Sequence, residues 1–354
     1  MIAYYKTYLA ILVLSALTSW ALTPWVKKLA LHLGAIDVPS ERKVHKHPMP
    51  RLGGIAIFFG MCLPWIGLYI IENFISITFQ NYEKLLLKLV ASSVAILLLG
   101  VYDDIKGANA KQKFAVQFAV AFFLYASGLQ ITQLSNPFGD PIRLNWLSMP
   151  VTVLWLVGIT NAINLLDGID GLATGVTGSI ALSLAIINVA KGNVIVALLT
   201  LSLAGACLGF LPYNFFPARI FLGDTGSLFM GFMLAGIGIF SLFKSTTLSF
   251  IAVPFLVFAL PLYDTFSVIL RRARARTPLF SADRSHLHHR LLALGWTHRD
   301  VSVFLCFISA FMGGIGVFLT LHEAEASTFF FWTVVVTLLG AVGIASRRAF
   351  NRRS

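Results

Sequence analysis

The 354-residue sequence contains unusually little charge. Asp, Glu, Lys and Arg make up 12% of it, whereas about a quarter of the residues are charged in an average soluble protein. Hydrophobic residues account for 57% of the chain, and its mean hydropathy is +0.81. This composition excludes a disordered chain, a collagen and a coiled coil, and it indicates an integral membrane protein.

Cysteine is also scarce. Cys62, Cys207 and Cys306 are the only three, and each lies inside an apolar run. They are therefore interpreted as small core hydrophobes, and the sequence offers neither a disulfide framework nor a zinc cluster. The net charge of +12 would suit a nucleic-acid partner, but the distribution of the basic residues argues against one, as described below.

Long apolar runs dominate what is present. A helix needs about 20 mostly apolar residues to cross roughly 30 Å of hydrocarbon. The sequence therefore predicts an all-α integral membrane protein, a polytopic bundle of about eleven transmembrane helices that forms a single domain over residues 1–354. The predicted spans are 7–26, 52–71, 85–102, 114–132, 148–166, 172–190, 194–211, 226–243, 248–269, 301–320 and 328–346.

The basic residues predict the orientation of these spans. With the N-terminus outside, only six of the 27 lysines and arginines lie outside: Lys6, Lys84, Lys88, Arg143, Lys191 and Lys244. Basic residues concentrate on the cytoplasmic side of membrane proteins, so the C-terminus is expected inside. Because Lys27 and Lys28 follow the first span, we expect a retained helix and not a cleaved signal peptide.

Acidic residues gather at the same inner face, which favours an enzyme acting there on a molecule anchored in the bilayer. An ion-coupled transporter of a phosphorylated metabolite is the alternative. A transporter would carry charged groups near mid-membrane, inverted repeats and broken helices. The sequence shows none of these features.

Adjacent carboxylates, Asp103 and Asp104, close the third span. Negative charge is unfavourable at the C-terminus of a helix. We therefore expect compensation from a divalent cation or from the lysines that follow, Lys106, Lys111 and Lys113.

The most specific stretch is NAINLLDGIDGLATG, residues 161–175. Asn161, Asn164 and Asp167 recur at intervals of three, which predicts a shared helical face, and Asp170 follows at the same interval. Glycines after Asp167 break the helix and allow close backbone approach. Helix capping would explain one of these polar residues, but not four within ten positions.

A glycine-flanked carboxylate, Asp224, opens the eighth span in the sequence GDTGS. This context suits a magnesium ion and phosphate oxygens, because the backbone N–H groups of a helix N-terminus face an anion. An ordinary N-cap is the alternative. Asn214 and Phe221 lie upstream, and Phe221 is a candidate surface for stacking a base.

Two basic inner loops complete the pattern. Residues 271–300 contain hydrogen-bond donors for sugar hydroxyls or a pyrophosphate, namely Arg284, His286, His288, His289 and Arg290. Zinc fits poorly, because no cysteine or carboxylate lies at a suitable spacing, although Asp283 keeps a zinc site open as an alternative. Residues 40–54, with Lys46, suit phosphate or anionic lipid. Asp264, near the end of the ninth span, is expected to pair with a loop arginine.

Together and in this order, the motifs between residues 40 and 300 resemble those of the polyprenyl-phosphate N-acetylhexosamine-1-phosphate transferases, glycosyltransferase family 4. The resemblance implies transfer of a sugar-1-phosphate from a UDP-sugar to undecaprenyl phosphate, with release of UMP. It also implies Mg²⁺ or Mn²⁺, a bacterial inner membrane with the site on the cytoplasmic side, and a possible role in the first membrane step of an envelope polysaccharide such as O-antigen. A homodimer is compatible with it.

The resemblance also implies roles for individual residues. Those implied as catalytic are Asp103, Asp104, Asp167 and Asp170. Those implied as metal ligands are Asp224 and Asp104. Those implied as nucleotide-binding are Lys46, Asn161, Asn164, Asp170, Asn214 and Phe221. Those implied to bind the sugar and diphosphate are Arg284, His286, His288, His289 and Arg290.

The histidine loop bears on the donor sugar. It resembles the His-Ile-His-His pattern of the branch that uses UDP-N-acetylglucosamine, with Leu287 replacing Ile. The muramoyl-pentapeptide branch carries three consecutive histidines and resembles a ten-span protein. UDP-N-acetylglucosamine is therefore the expected donor; UDP-N-acetylgalactosamine, a UDP-diamino sugar and UDP-muramoyl-pentapeptide stay open as alternatives.

Overall fold

The computed structural model describes residues 4–38, 48–134, 142–242, 255–275 and 286–321. Its helices within these ranges are α1 (Tyr5–His32), α2 (Gly53–Cys62), α3 (Phe74–Asn81), α4 (Glu83–Lys106), α5 (Ala110–Ala126), α6 (Ser148–Leu166), α7 (Leu172–Ala190), α8 (Val194–Asn214), α9 (Gly223–Leu242), α10 (Ala259–Ala275), α11 (Leu287–Ala293) and α12 (His298–Leu321). Short 3₁₀ segments cover Leu63–Tyr69 and Asn145–Leu147.

A polytopic helical membrane protein is confirmed. Seven helices among the described residues, α1, α4, α6, α7, α8, α9 and α12, are long and apolar enough to cross a bilayer. The segment Gly53–Tyr69 and helix α3 would form an eighth span, bent by 112°. The count of eleven stays a prediction. Helix α5, with 17 residues, is not among these spans, and the run 328–346 and the start of the run 248–269 lie outside the described residues.

The bend after Gly53–Tyr69 was not expected from the sequence. Pro64, which has no amide hydrogen, is the second residue of the 3₁₀ segment that follows α2. The 17 residues from Gly53 to Tyr69 rise by about 29 Å before the chain turns. The bend therefore follows a helical stretch about as long as the hydrocarbon is thick, whereas a transporter's broken helix interrupts its span at mid-membrane.

Two helices form the centre of the bundle. The apolar stretches of α8 and α9 are each 89% buried. Helix α8 packs against α1, α2 and α7, and α9 packs against α2, α4 and α6. Phe210 of α8 and Phe229 and Phe232 of α9 are fully buried, so the helix that carries Asp224 is held on several sides.

Four two-residue strands are the exception to the predicted all-α structure. β1 (Ile36–Asp37) pairs antiparallel with β2 (Met49–Pro50), and β3 (Gln133–Leu134) pairs with β4 (Ile142–Arg143). The first pair helps to position the segment before α9. The carbonyl of Pro50 accepts a hydrogen bond from Phe221 N at 2.8 Å, and Gly53 N donates to Phe221 O at 3.2 Å.

Close packing of α4 on α9 depends on Gly100. A Cβ atom built on Gly100 would overlap the backbone of Thr225 at the start of α9. Without a side chain at this position, the C-terminal turn of α4 and the N-terminal turn of α9 come into direct contact. Asp103 and Asp104 are thereby placed beside Asp224.

Candidate active site

Asp104 binds the N-terminus of α9. Its side chain is buried, with the residue 7% exposed. Its Oδ2 accepts hydrogen bonds from Thr225 N at 3.0 Å and Thr225 Oγ1 at 2.7 Å, and its Oδ1 accepts one from Asp224 N at 3.1 Å. Amides in the first turn of a helix have no partner within the helix. Asp104 therefore caps α9 from a neighbouring helix.

Asp103 and Asp224 share one cation. The ammonium of Lys113 lies 2.7 Å from Asp103 Oδ2 and also contacts Asp224 Oδ2. The lysine stands in the first turns of α5, whose start is fixed by a capping box between Asn109 and Gln112. The expected compensation of the Asp103–Asp104 charge is thus provided by Lys113.

The same pair of carboxylates fits a divalent cation. Among the described residues, no three His, Cys, Asp or Glu side chains are grouped so that they would hold a metal ion by themselves. Mg²⁺ is commonly bound by one or two carboxylates, with phosphate oxygens and water as its other ligands. Asp103 and Asp224, already facing one cation, supply such a pair, whereas both oxygens of Asp104 accept hydrogen bonds from α9. The involvement of Asp104 as a metal ligand stays a prediction.

Asp167 follows the last residue of α6 and retains some solvent access. Its pKa is raised well above the usual aspartate range, first by burial of the carboxyl within protein and then by the charges of Asp224 and Asp104. Arg51 opposes this shift, and Asp170 adds to it. One electrostatically connected group of carboxylates is therefore formed by Asp104, Asp167, Asp170 and Asp224.

Asn161 and Asn164 contact different helices. Asn164 Nδ2 donates to Asp224 Oδ1 at 3.1 Å and to Ser227 Oγ at 2.8 Å, so it orients the Asp224 carboxylate. Asn161 Nδ2 donates to Gln117 Oε1 on α5 at 2.6 Å. Three residues turn a helix by about 300°, so Asn161 and Asn164 lie about 60° apart on α6 and contact α5 and α9 respectively. The shared face with Asp167 stays a prediction.

Asp170 and Asn214 hold the connection between α8 and α9. Asp170 Oδ2 accepts a hydrogen bond from Ala218 N at 2.9 Å. Asn214 is buried, accepts from Thr174 Oγ1 at 2.8 Å and donates to Ile220 O at 3.2 Å. Both ends of the Asn214 amide therefore bind protein. Its role in nucleotide binding, like that of Phe221, stays a prediction.

The histidine segment, residues 286–289, is hydrogen-bonded to Asp264 of α10. Asp264 Oδ2 lies 2.8 Å from His286 Nδ1, and Asp264 Oδ1 accepts a hydrogen bond from Leu287 N at 2.7 Å. The expectation that Asp264 pairs with a loop arginine is therefore wrong for the described residues. A buried histidine ring and a backbone amide satisfy the carboxylate instead.

His288 connects this segment with the acidic motifs. It is 2% exposed, and within the described part of the chain neither ring nitrogen has a hydrogen-bond partner. A Cβ built on Gly168 would overlap His288 Nε2, so the ring packs beside the residue that follows Asp167. Burial, with a further contribution from His289, lowers the pKa of His288 to about 3.

Of the four remaining residues predicted in the basic loops, the structure describes two, His289 and Arg290. The His289 ring lies 4.3 Å from the His288 ring. Arg290 is half-buried, and burial followed by the charge of Arg271 lowers its pKa. Lys46 and Arg284 lie outside the described residues.

One ion pair of the site had not been recognised in the sequence. Arg51, just after β2, pairs with the buried Asp37 of β1, and its Nη1 lies 3.9 Å from Asp104 Oδ1. The sequence places Arg51 in a basic loop but gives no signal for Asp37, because the hairpin that joins them has only two residues in each strand.

Comparisons with known proteins agree with this geometry. Residues 86–242 match the model of the glycosyl transferase family 4. A probable undecaprenyl-phosphate N-acetylglucosaminyl 1-phosphate transferase from Bacillus subtilis is 40% identical over 306 residues, covering 86% of this chain and 82% of the relative. A decaprenyl-phosphate N-acetylglucosaminephosphotransferase from Mycolicibacterium smegmatis is 37% identical, covering 80% and 75%. A phospho-N-acetylmuramoyl-pentapeptide-transferase from Staphylococcus aureus is 28% identical, covering 85% and 94%.

Proposed function

The chain belongs to the glycosyl transferase family 4, and from this premise we propose that it transfers N-acetylglucosamine-1-phosphate from UDP-N-acetylglucosamine to undecaprenyl phosphate. The products are undecaprenyl-diphospho-N-acetylglucosamine and UMP. The observation that carries the proposal is that Asp103 and Asp224 both contact the ammonium group of Lys113, where α4 and α9 meet. The relatives described above are named as transferases, which disfavours the transporter alternative.

The donor follows from the degree of similarity. The two relatives named for N-acetylglucosamine phosphate transfer are 40% and 37% identical to this chain, against 28% for the muramoyl-pentapeptide transferase. The His-Leu-His-His spacing at residues 286–289 supports the same donor. Transfer from another UDP-sugar is an outcome of the donor comparison described below.

The reaction must bring two anionic phosphates together. A phosphomonoester has a second pKa near 6, so the lipid phosphate is mostly dianionic at pH 7. One of its oxygens attacks the sugar-proximal β-phosphorus and forms a new P–O bond, while the bond from that phosphorus to the bridging oxygen breaks and UMP leaves with the electron pair. Lys113 and Arg51 reduce the repulsion between the reactants, and Asp103 removes a residual proton or positions the attacking phosphate.

A divalent cation fits this arrangement, with Asp103 and Asp224 as its protein ligands. Mg²⁺ or Mn²⁺ would neutralise charge on the diphosphate and on the leaving UMP. Asn164 orients Asp224 through its hydrogen bond to Oδ1. Asp104 acts on the centre indirectly, because it binds the first turn of the helix that carries Asp224.

We further propose that the protein lies in a bacterial inner membrane with the site on the cytoplasmic side, the N-terminus outside and the C-terminus inside. The excess of basic residues in the predicted inner segments supports this orientation. A homodimer and a role in the first membrane step of an envelope polysaccharide are proposed on the family relationship.

The first test is UMP release by the purified protein in detergent. We expect release that requires UDP-N-acetylglucosamine, undecaprenyl phosphate and a divalent cation together. Asp224→Asn, which removes the charge but keeps the shape, should lower the rate by about 100-fold or more, because the loss of one group that stabilises the transferred phosphoryl has effects of this size. The remaining UDP-hexosamines are assayed in parallel.

Asp300→Asn is the matched control, because Asp300 is exposed and its hydrogen bonds among the described residues are with Thr297. Its rate should equal that of the unmodified protein. Absence of UMP release with every UDP-hexosamine would refute the proposed function. A phosphosugar trapped covalently on Asp103 would refute direct attack but not the transfer itself.

A further inference from the structure

Asp264 lies in the second turn of α10, outside the acidic centre. It is 1% exposed, and both of its carboxylate oxygens make hydrogen bonds to the histidine segment. One oxygen faces the ring of His286, and the other binds the backbone amide of Leu287. A buried carboxylate with two well-formed hydrogen bonds to one short segment fixes that segment strongly.

The contact specifies the tautomer of His286. An ionised carboxylate only accepts hydrogen bonds, so His286 Nδ1 must carry the hydrogen that lies between the two groups. The other ring nitrogen, Nε2, is then left to accept a hydrogen bond or to bind a second proton. His286 is itself 6% exposed, so its ring has little freedom to turn.

The same carboxylate also caps α11. His286 is the residue before the first turn of that helix, and its own side chain makes no capping hydrogen bond. Asp264 binds the first free amide, Leu287 N, in its place. One side chain of α10 therefore sets both the ring orientation of His286 and the position of the helix that carries His288.

This position reaches the acidic motifs. The rings of His286 and His288 are nearly parallel, 5.9 Å apart, and His288 fills the space that a side chain on Gly168 would occupy. Gly168 follows Asp167 directly in the chain. The path from Asp264 through His286 and His288 therefore ends beside the group of carboxylates proposed to act on the diphosphate.

We propose that Asp264 is a positioning residue for the transfer reaction, which holds His286 in the tautomer with hydrogen on Nδ1 and places the histidine segment against the Asp167 turn. This inference rests on the proposed function. Asp264 acts only through the histidines and does not itself touch the substrate.

Asp264→Asn tests the tautomer directly. The asparagine keeps the volume, and its Oδ1 still accepts from Leu287 N, but its Nδ2 donates to His286 Nδ1 and moves the ring hydrogen to Nε2. We expect a fall of about 10- to 100-fold in kcat/KM, the range found when a group that orients a functional histidine is lost. The thermal unfolding temperature in detergent should stay close to that of the unmodified protein.

A double-mutant cycle separates positioning from a purely structural role. We expect His286→Gln and the combined Asp264→Asn/His286→Gln variant to have equal activity, because Asp264 acts through a ring that is already absent. Losses that multiply in the double variant would overturn the inference. Asp300→Asn again provides the matched Asp-to-Asn control and should be as active as the unmodified protein.

A second variant covers the case in which Asp264→Asn does not fold. Gly168→Ala leaves Asp264 and His286 unchanged, but its methyl group would displace the His288 ring. It should also lower kcat/KM, and full activity would contradict the proposed path. If the unmodified protein releases no UMP, the proposed function fails; if it does and Asp264→Asn equals it, only the present inference fails.

Discussion

Asp104 and Asp264 have the same local role in two places. Each is a buried carboxylate on one helix that binds free backbone amides at the start of another, α9 for Asp104 and α11 for Asp264. Negative charge is favourable at a helix N-terminus. Because Asp224 and His288 stand in the first turns of these two helices, an acid that stabilises the fold also determines where a candidate functional side chain points.

The sequence identified these residue types but not all of their partners. It predicted that a divalent cation or a following lysine would compensate the charge of Asp103, and Lys113 pairs with it. It assigned Asp264 to an arginine, yet the carboxylate binds a histidine 22 positions away. Local spacing shows which residues share a helix turn, whereas the partner across two helices is set by packing that no local pattern contains.

A pH prediction follows from the buried ring of His288. Burial lowers its pKa to about 3, while an unfolded chain keeps the ordinary value near 6.5. The unfolded state therefore binds more protons below pH 6.5, and folding stability falls as the pH drops. At pH 5, the loss from this one group should be about 2 kcal/mol.

Thermal unfolding in detergent at pH 7.5 and pH 5 measures this effect. The variant His288→Gln cannot bind a proton at this position, so its unfolding temperature should fall less between the two pH values than that of the unmodified protein. His286, His289, His298 and Asp264 also act on the ring and are present in both proteins, so the difference between the two isolates His288. An equal fall in both proteins would show that His288 does not cause the shift.

At the scale of whole elements, the helix boundaries show how far the sequence is informative. The run 172–190 coincides with α7, Leu172–Ala190. The run 114–132 is too long, because α5 ends at Ala126 and Gly128 then takes a positive φ of 100° that turns the chain towards β3. Apolar runs locate most of the long helices, whereas a turn at a single glycine inside such a run leaves no clear break in hydropathy.

The contact of α4 with α9 gives a prediction at this scale. Gly100→Ala would place a methyl group against the backbone of Thr225, and backbone cannot move aside as a flexible side chain can. The helices must separate, which moves Asp103 and Asp104 away from α9. We expect a fall in UMP release of about 10-fold or more and a lower unfolding temperature, because overpacking typically costs about 1–3 kcal/mol.

Gly158→Ala is the matched control for this variant. Gly158 lies inside α6, and nothing lies within 4 Å of the position that its Cβ would take. Alanine favours a helix over glycine by about 1 kcal/mol, so this variant should keep its activity and have an unfolding temperature at least as high as that of the unmodified protein. Equal behaviour of the two alanine variants would mean that close α4–α9 packing is not what positions the carboxylates.

At the scale of the whole molecule, the two ends of α4 should lie on opposite sides of the membrane. This helix has 24 residues and rises by about 36 Å, enough to cross the hydrocarbon. Lys84 is exposed in its first turn, and Lys111 is exposed at the start of α5, just beyond its far end. The proposed orientation places Lys84 outside and Lys111 in the cytoplasm, on the side of Asp103.

Single cysteines at these two lysines test that orientation in spheroplasts of a bacterial host. Cys62, Cys207 and Cys306 are first replaced by alanine, and UMP release is measured to verify that the background remains active. A maleimide that cannot cross the membrane should label Lys84→Cys in intact spheroplasts and Lys111→Cys only after lysis. The reverse pattern would place the acidic centre outside the cell, where a cytoplasmic UDP-sugar cannot reach it, and would exclude both the orientation and the proposed donor together.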